Sequence, residues 1–347
     1  MQIYENQALL FTMPNPGVVT QLIPKSADVG NNWVFVNWGL REMLTLRDLG
    51  VDAPNPMKVQ FNWSGPFTPF QIQMATAEFF VANKRAFCFN EQGTGKTAAA
   101  IWGAEYLMQQ GLIKRVLIVC PMSTMRTVWV NELFRLAMHR RVDLAHGSKR
   151  KRQDIVASDA EFVVINYDGV KVVPDELEAA GFDLIVIDEG TAYGKTSSAR
   201  WKTMARLVKP QTWVWLMTGT PAPESPEDAY GLAKLLVPDN VPRSRGAWKD
   251  MVMYKVNNFR WVPKDDAASS VHRVLQPAIR FMKKDATDLP DVLHTTREVS
   301  LSTEQKKHYE TLRKECLIQV AGGVDTITAQ TAAILSNKLL QITSGGV

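Results

Sequence analysis

The sequence predicts an α/β protein in which helices cover both faces of a parallel β-sheet. Between about residues 67 and 240, helical segments alternate with short apolar stretches, which read AFCFN, RVLIVC, FVVINY, DLIVIDE and WVWLMTGT. Apolar runs of this length are typical of strands that are buried on both faces, and parallel neighbours require crossover helices. We expect helices near residues 97–110, 124–139 and 199–209. The hydrophobic share, 46% of 347 residues, is sufficient for a large core.

Residues 1–66 predict a small accessory unit. The alternating stretch NNWVFVNWG indicates a half-buried strand, and we interpret Trp33 and Trp38 as sheet packing, with a DNA or partner surface as the alternative. LREMLTLRDLG then predicts a short amphipathic helix with Gly50 at its C-terminal cap.

Beyond residue 240 the alternation weakens, and two helical segments follow, STEQKKHYETLRKECLIQV and ITAQTAAILSNKLLQI. We therefore divide the chain into an accessory unit at residues 1–66, an α/β lobe at residues 67–240, and a linker with the incomplete start of a second lobe at residues 241–347.

Composition favours a globular protein without a membrane span. No stretch reaches the roughly 18 uncharged apolar residues of a spanning helix, and the first residues lack the features of a signal peptide. We expect a cytoplasmic location, in which Cys88 and Cys120 are reduced core thiols. The formal net charge of +5 is compatible with a polyanionic partner but does not require one.

The stretch NEQGTGKT carries the strongest chemical signal, because it follows an apolar strand and precedes an alanine-rich helix. Such a glycine turn aims backbone N–H groups and a helix N-terminus at a phosphate. Lys96 would reach the β- and γ-phosphates, and the Thr97 hydroxyl would hold Mg²⁺. The strict pattern has glycine where this chain has Asn90, so the match is to the shorter G-x-G-K-T form. The predicted phosphate-binding residues are Gln92, Gly93, Thr94, Gly95, Lys96 and Thr97.

A pair of carboxylates follows the apolar run of DLIVIDEG. Because ligands of parallel sheets bind at the carboxyl edge, Asp188 and Glu189 are expected beside the glycine loop. Asp188 would hold the Mg²⁺, and Glu189 would orient and deprotonate the attacking water.

Seven blocks in a fixed order resemble the superfamily-two helicases, and within them the Swi/Snf-like DNA translocases, including forms common in bacteriophages. The resemblance runs from about residue 66 to the end, and the order and spacing of the blocks are more specific than any one of them. The blocks are PFTPFQIQMA, NEQGTGKT, LIVCPMSTMRTVW, VVINYDG, VIDEGTAYGKTSSARW, LMTGTPAPESPEDAYGLAKLLVP and LPDVLHTTREVSLSTEQKKHYETL.

The resemblance implies a RecA-like first motor lobe that uses ATP and Mg²⁺ and acts on duplex or branched DNA. Gln71 would read the adenine edge, and Phe67 or Phe70 would pack on the base. The DNA backbone would be contacted by Ser123, Thr124, Asn166 and Tyr167. Coupling between nucleotide and DNA would fall to Thr218, Gly219 and Thr220. If the protein is phage-encoded, its location would be the host cytoplasm.

The chain departs from the family where Gly190 and Thr191 follow the carboxylate pair, which we expect to alter the coupling. A second RecA-like lobe, the usual source of arginine fingers, is expected beyond residue 347. The predicted function is an ATP-dependent DNA translocase or helicase, and the rival is a nucleotide-dependent DNA- or partner-binding module without productive turnover. A P-loop kinase or GTPase is disfavoured because Gln71 and the TGTP stretch have no role there. The basic run HRRVDLAHGSKRKRQ is either a DNA-backbone contact or a solvated face.

Overall fold

The computed structural model describes residues 1–63, 65–257, 260–285, 295–321 and 329–345. These residues fall into two compact units, Met1–Asp288 and Leu289–Val347. No helix in these ranges is both long enough and apolar enough to cross a bilayer.

The strands of the described residues all belong to the first unit. In chain order they are β1 (Gln2–Tyr4), β2 (Ala8–Thr12), β3 (Ser26–Gly30), β4 (Trp33–Asn37), β5 (Arg85–Cys88), β6 (Val116–Cys120), β7 (Val142–Ala145), β8 (Phe162–Asn166), β9 (Leu184–Asp188), β10 (Trp213–Met217), β11 (Met253–Lys255), β12 (Trp261–Pro263) and β13 (Ala278–Ile279).

The α-helices are distributed over both units. Those of the first unit are α1 (Pro16–Leu22), α2 (Leu40–Asp48), α3 (Met57–Gln60), α4 (Gln71–Ala82), α5 (Lys96–Gln109), α6 (Asn131–Leu136), α7 (Lys149–Val156), α8 (Tyr167–Val172), α9 (Pro174–Ala180), α10 (Ala199–Leu207), α11 (Ala229–Leu236), α12 (Arg245–Val252) and α13 (Ala267–Val274). The second unit contains α14 (Thr303–Ala321) and α15 (Ala329–Thr343), as the two helical segments predicted.

The main sheet has seven parallel strands in the order β13-β5-β10-β9-β6-β8-β7, which confirms the predicted fold class. Met217 at the end of β10 lies opposite both Cys88 and Asp188. Cys120 at the end of β6 lies opposite Asn166. The loops that follow these strands therefore leave the sheet at one common edge.

Side chains of the central strands alternate between two cores, because successive residues of a strand point to opposite faces. Cys88 and Cys120 lie in the core that also contains Trp102 and Trp129, whereas Phe87 lies in the other core. Burial raises the pKa of both thiols to about 12, so they are protonated at neutral pH.

Residues 1–66, predicted to be an accessory unit, contain an antiparallel sheet in the order β1-β2-β4-β3, which packs with α2 against the first of these cores and belongs to the same compact unit as the main sheet. Gly50 adopts φ +80°, and its N–H donates to the Arg47 carbonyl over 2.9 Å, which confirms the predicted helix cap. Trp38 is buried and donates to the Pro54 carbonyl over 2.8 Å, in agreement with a packing role.

Elements that follow residue 240 join the main sheet and its second core. β13 pairs with β5, so that Ala278 lies opposite Phe87. Helix α12 contributes the buried Trp248 and Val252 to the second core. Because β13 spans only two residues, it produces no recognisable pattern in the sequence.

Candidate active site

Two glycines give the loop between β5 and α5 its shape. Gly93 has φ +83° and Gly95, the N-cap of α5, has φ +80°. Residues with a Cβ rarely adopt these left-handed values, so the pattern read from the sequence is one that the backbone requires. The Thr94 hydroxyl donates to the Glu91 carbonyl over 2.7 Å and closes the turn.

Lys96 opens α5 and is buried inside this loop. Its Nζ donates to the carbonyl oxygens of Asn90, at 2.8 Å, and Glu91, at 3.1 Å. Thr97 follows in the first helical turn and is half-buried. A cation, a hydroxyl and the free N–H groups of a helix N-terminus are the donor set that suits a polyphosphate with Mg²⁺.

Asn90 occupies the position where the strict phosphate-loop pattern has glycine, and its side chain is 1% exposed. Its Nδ2 donates to Thr76 Oγ1 over 2.9 Å, and its Oδ1 accepts the N–H of Phe281 over 2.8 Å. Asn90 therefore joins α4 and the segment after β13 to the glycine loop. The only sequence signal was a polar residue at the end of an apolar strand.

The block PFTPFQIQMA contains two glutamines, which lie in different environments. Gln71, predicted to read adenine, is exposed at the first residue of α4, and the neighbouring Phe70 is also exposed. Gln73 is buried against the loop, so that a Cβ atom on Gly95 would lie 1.9 Å from its Nε2. Gln71 remains the predicted base-reading residue, and Gln73 is a loop contact that the sequence did not reveal.

Asp188 ends β9 with its carboxylate 9% exposed. Its Oδ2 accepts the indole N–H of Trp129 over 2.9 Å, and its Oδ1 accepts the N–H of Glu189 over 3.1 Å. Burial raises the pKa of Asp188, while Trp129 and the positive charge of Lys96 oppose this rise. The positive charge of Lys96 thus acts on Asp188, which places the two predicted site residues near each other.

Glu189 follows directly and has φ +48°, an unusual value for a residue with a side chain. Its pKa is raised by burial and then by the neighbouring charge of Asp188. A carboxylate with a raised pKa is a stronger proton acceptor, which agrees with the predicted base.

Gly190 and Thr191 mark the departure from the family pattern. A Cβ atom on Gly190 would lie 2.3 Å from Cδ2 of Leu216 on β10. A side chain at position 190 would therefore collide with the buried Leu216 side chain. Thr191 is half-buried.

The predicted coupling residues follow β10, which lies between β5 and β9. Thr218 is fully buried, and its N–H donates to the Cys88 carbonyl over 3.0 Å. Its hydroxyl accepts the N–H of Thr220 over 3.3 Å, so the turn through Gly219 is closed by this side chain. The turn therefore lies between the strand that leads to the glycine loop and the strand that ends at Asp188.

The four predicted DNA contacts differ in exposure. Ser123 is exposed and Thr124 is half-buried in the loop after β6. Asn166 is buried, and its Oδ1 accepts from Arg152 over 3.2 Å. The Tyr167 hydroxyl donates to the backbone carbonyl groups of Asp188 and Glu189. Ser123 thus offers a hydroxyl at the surface, whereas the Thr124 hydroxyl donates to the Pro121 carbonyl over 3.1 Å, and Asn166 and Tyr167 are engaged inside the protein. The DNA role of all four remains a prediction.

Part of the basic run forms internal contacts. Arg140 bonds to the buried Glu105, at 2.8 Å, and to Glu161, at 2.6 Å. Arg152 is buried against the Ala145 carbonyl at 2.6 Å. Arg141 and the cations at residues 149–151, on α7, are exposed to solvent.

Lys283 lies beside the glycine loop and was missed because it falls in the region predicted to be a linker. Its N–H donates to Glu91 Oε2 over 2.8 Å, and its Cε lies 3.8 Å from the place of a Cβ on Gly93. The segment after β13 thus brings a second lysine to the predicted phosphate site.

A parallel sheet with a glycine loop after one strand, a carboxylate pair after another and a buried threonine turn between them defines the RecA-like class of nucleotide-binding folds. Residues 73–344 match the family described as the SNF2-related domain. This match covers more than half of the chain, so the protein belongs to the SNF2-related family.

Similar proteins include protein p41 of Acyrthosiphon pisum secondary endosymbiont phage 1, which is 24% identical over 81% of this chain and 64% of its own length. The ATP-dependent helicase YqhH of Bacillus subtilis is 28% identical over 50% of this chain and 30% of its own length. The human chromatin-remodeling ATPase INO80 is 25% identical over 84% of this chain and 20% of its own length. The chain therefore spans less than two thirds of each of these relatives.

Among solved structures, the fold is similar to that of the Sulfolobus solfataricus SWI2/SNF2 ATPase core in complex with dsDNA. The TM-score is 0.55 at 20% identity, over 81% of this chain and 59% of that one. The same archaeal core domain without DNA gives a TM-score of 0.54. This likeness confirms the RecA-like fold that the sequence resemblance implied.

Proposed function

We propose that this protein is an ATP-dependent DNA translocase in which hydrolysis of ATP is coupled to movement on DNA. The observation that carries the proposal is the placement of the glycine loop with Lys96 and of Asp188 at the same edge of the sheet, where Thr218 follows the strand that lies between theirs. Membership of the SNF2-related family supports nucleotide use by this site.

The chain's own residues divide the chemistry. When bound, Mg²⁺ would be held by Thr97 and Asp188 and would neutralise charge on the transferred phosphoryl group. Lys96 leaves the loop carbonyl groups and binds the β- and γ-phosphates. Glu189 orients the attacking water and accepts its proton. Gln71 selects adenine.

Duplex or branched DNA is the proposed partner. A protein with this fold was solved with dsDNA, which supports duplex recognition. Ser123, Thr124, Asn166 and Tyr167 contact the phosphate backbone, which fixes position without reading sequence. Asn166 and Tyr167 must first leave the internal bonds that they make here, or act through the backbone of their loop.

A second RecA-like lobe that faces this one belongs to the same proposal. The archaeal core is matched over only 59% of its chain. An arginine finger from a facing lobe typically raises the rate of phosphoryl transfer by roughly 10³- to 10⁵-fold. We therefore propose slow hydrolysis by this lobe alone and DNA-stimulated hydrolysis by the two lobes together.

The alternative function is that of a nucleotide-dependent binding module. The bonds of Lys96 support this alternative. Because Lys96 is bonded to its own loop, nucleotide binding must rearrange that loop. Such a rearrangement could control docking on DNA or on a partner without turnover.

The decisive experiment measures ATP binding and ATPase rate during a titration with duplex DNA at fixed ionic strength. The chain is compared alone and with a second RecA-like lobe joined to it. DNA-stimulated turnover by the two-lobe protein supports the translocase. Nucleotide-dependent DNA affinity without turnover selects the binding module. Failure of the chain to bind ATP would refute both the translocase and the binding module.

A further inference from the structure

Trp129 makes a buried polar contact that the proposed reaction has not used. Its side chain is fully buried, and its indole N–H donates to Asp188 Oδ2 over 2.9 Å. Its burial among the core side chains is explained by packing. The bond to the predicted metal-binding carboxylate is a further feature that packing alone does not require.

The backbone around Trp129 has an uncommon form. Met125–Val130 is a π-helical segment that continues into α6. Single π turns within helices are frequent at functional sites because the extra residue changes the direction in which the following side chains point. The segment begins directly after Ser123 and Thr124, the loop that we predict contacts DNA.

Both oxygens of Asp188 are fixed by one donor each. The Glu189 N–H bonds to Oδ1 over 3.1 Å, and the Trp129 indole bonds to Oδ2 over 2.9 Å. Two donors on different elements hold the carboxylate plane in one orientation. A carboxylate oxygen has two acceptor sites, so each oxygen keeps one for a metal-bound water or the metal.

We propose that Trp129 is a positioning residue that orients Asp188 for the Mg²⁺ of the bound nucleotide. This inference rests on the proposed function. It adds to that function a role at the metal site for Trp129, whose segment follows the loop that we predict contacts DNA. Donors to a metal-binding carboxylate typically change metal affinity by 10- to 100-fold when they are removed.

The test compares Trp129→Phe with Trp248→Phe. Trp248 is also fully buried, and its indole N–H donates to the Pro226 carbonyl over 3.2 Å, so the control loses an equivalent group elsewhere. For each variant, the affinity for a fluorescent ATP analogue is measured with saturating Mg²⁺ and with EDTA. We expect Trp129→Phe to reduce the Mg²⁺-dependent gain in affinity about tenfold, with the affinity in EDTA unchanged. Trp248→Phe should keep the full gain.

If both variants fold and Mg²⁺ increases their affinity for the ATP analogue equally, the proposal is overturned. If Trp129→Phe does not fold, benzothienylalanine is introduced at position 129, which replaces the N–H group by sulfur at nearly unchanged ring size. The affinities for the ATP analogue with Mg²⁺ and with EDTA then test the proposal in the same way. Absence of nucleotide binding by the unmodified protein would instead refute the proposed function, and this inference with it.

Discussion

The ammonium group of Lys96 donates to the carbonyl oxygen of Asn90 over 2.8 Å. A buried cation needs such partners, and here the loop that is predicted to hold phosphates supplies them itself. A bound polyphosphate must therefore replace carbonyl groups that already satisfy Lys96. The side chain that binds the nucleotide also sets the resting shape of the loop.

Replacement of Lys96 by alanine is expected to abolish measurable ATP binding. The variant loses the buried cation of the glycine loop, and charge-assisted bonds to phosphate are among the strongest that a protein makes. Isothermal titration with Mg·ATP measures the effect. Lys84→Ala is the matched control, because Lys84 is exposed just before the start of β5, at the other end of the strand. Comparable ATP affinities of the two variants would contradict the assignment.

Glu189→Gln is expected to bind ATP normally and to lose turnover. The amide keeps the size and hydrogen-bonding capacity of the side chain but cannot accept a proton from water. Single-turnover hydrolysis, measured beside ATP affinity in the two-lobe protein, separates the two steps. Turnover that persists in this variant would remove Glu189 from the role of base.

The two glutamines of α4 should produce different defects. Gln71→Ala is expected to relax a preference for ATP over GTP, because an amide can both donate to and accept from the adenine edge. Gln73→Ala should weaken both nucleotides alike, since Gln73 packs on the glycine loop at Gly95. Competition of ATP and GTP for a fluorescent analogue measures both effects. Equal use of the two nucleotides by the unmodified protein would refute the adenine role of Gln71.

Asn90→Gly restores the strict phosphate-loop pattern and is nevertheless expected to destabilise the protein by about 2 kcal/mol. It removes the buried bond to Thr76 and leaves the half-buried Phe281 N–H without its acceptor. Urea unfolding gives the free energy. Gln92→Gly, at an exposed position of the same loop, is the control and should cost less than about 1 kcal/mol. Equal losses would show that added backbone freedom, rather than the side chain of Asn90, explains the effect.

The five central strands could be predicted from the sequence, because each consists of a continuous apolar run between turn signals. β7 and β13 lie at the edges of the sheet, and their short, less apolar stretches give no such signal. Parts of the candidate site could be predicted for the same reason. Loop glycines and strand-end carboxylates are recognised from the residues next to them in the sequence.

Contacts between distant segments could not be predicted. The bond from Trp129 to Asp188 and the bond from Phe281 to Asn90 depend on how whole elements pack. The inward position of Asn166 likewise depends on Arg152, which a reading of the local motif does not place.

Asp188→Asn should reveal the electrostatic cost of the site. Burial raises the pKa of Asp188 above the unfolded value of roughly 3.9, so the charged form is disfavoured in the folded protein. This cost is absent below the unfolded pKa, where both states are protonated, and it grows as pH rises through the folded pKa. The asparagine cannot ionise, and its carbonyl oxygen still accepts from Trp129, although its NH₂ group no longer accepts the N–H of Glu189. In buffer without Mg²⁺ and nucleotide, we therefore expect a higher free energy of unfolding than in the unmodified protein at pH 8, with the difference vanishing toward pH 4.

Urea unfolding of both proteins across this pH range measures the difference. Asp48→Asn is the control, because Asp48 is exposed on α2, and surface substitutions usually change stability by less than about 0.5 kcal/mol. The gain at pH 8 should be accompanied by loss of the Mg²⁺-dependent increase in nucleotide affinity, since the same carboxylate is proposed to hold the ion. A less stable Asp188→Asn protein at pH 8 would mean that the attraction of Lys96 and the bond from the Glu189 N–H outweigh burial. Asp188 would then be a net stabilising residue rather than one kept at a cost for function.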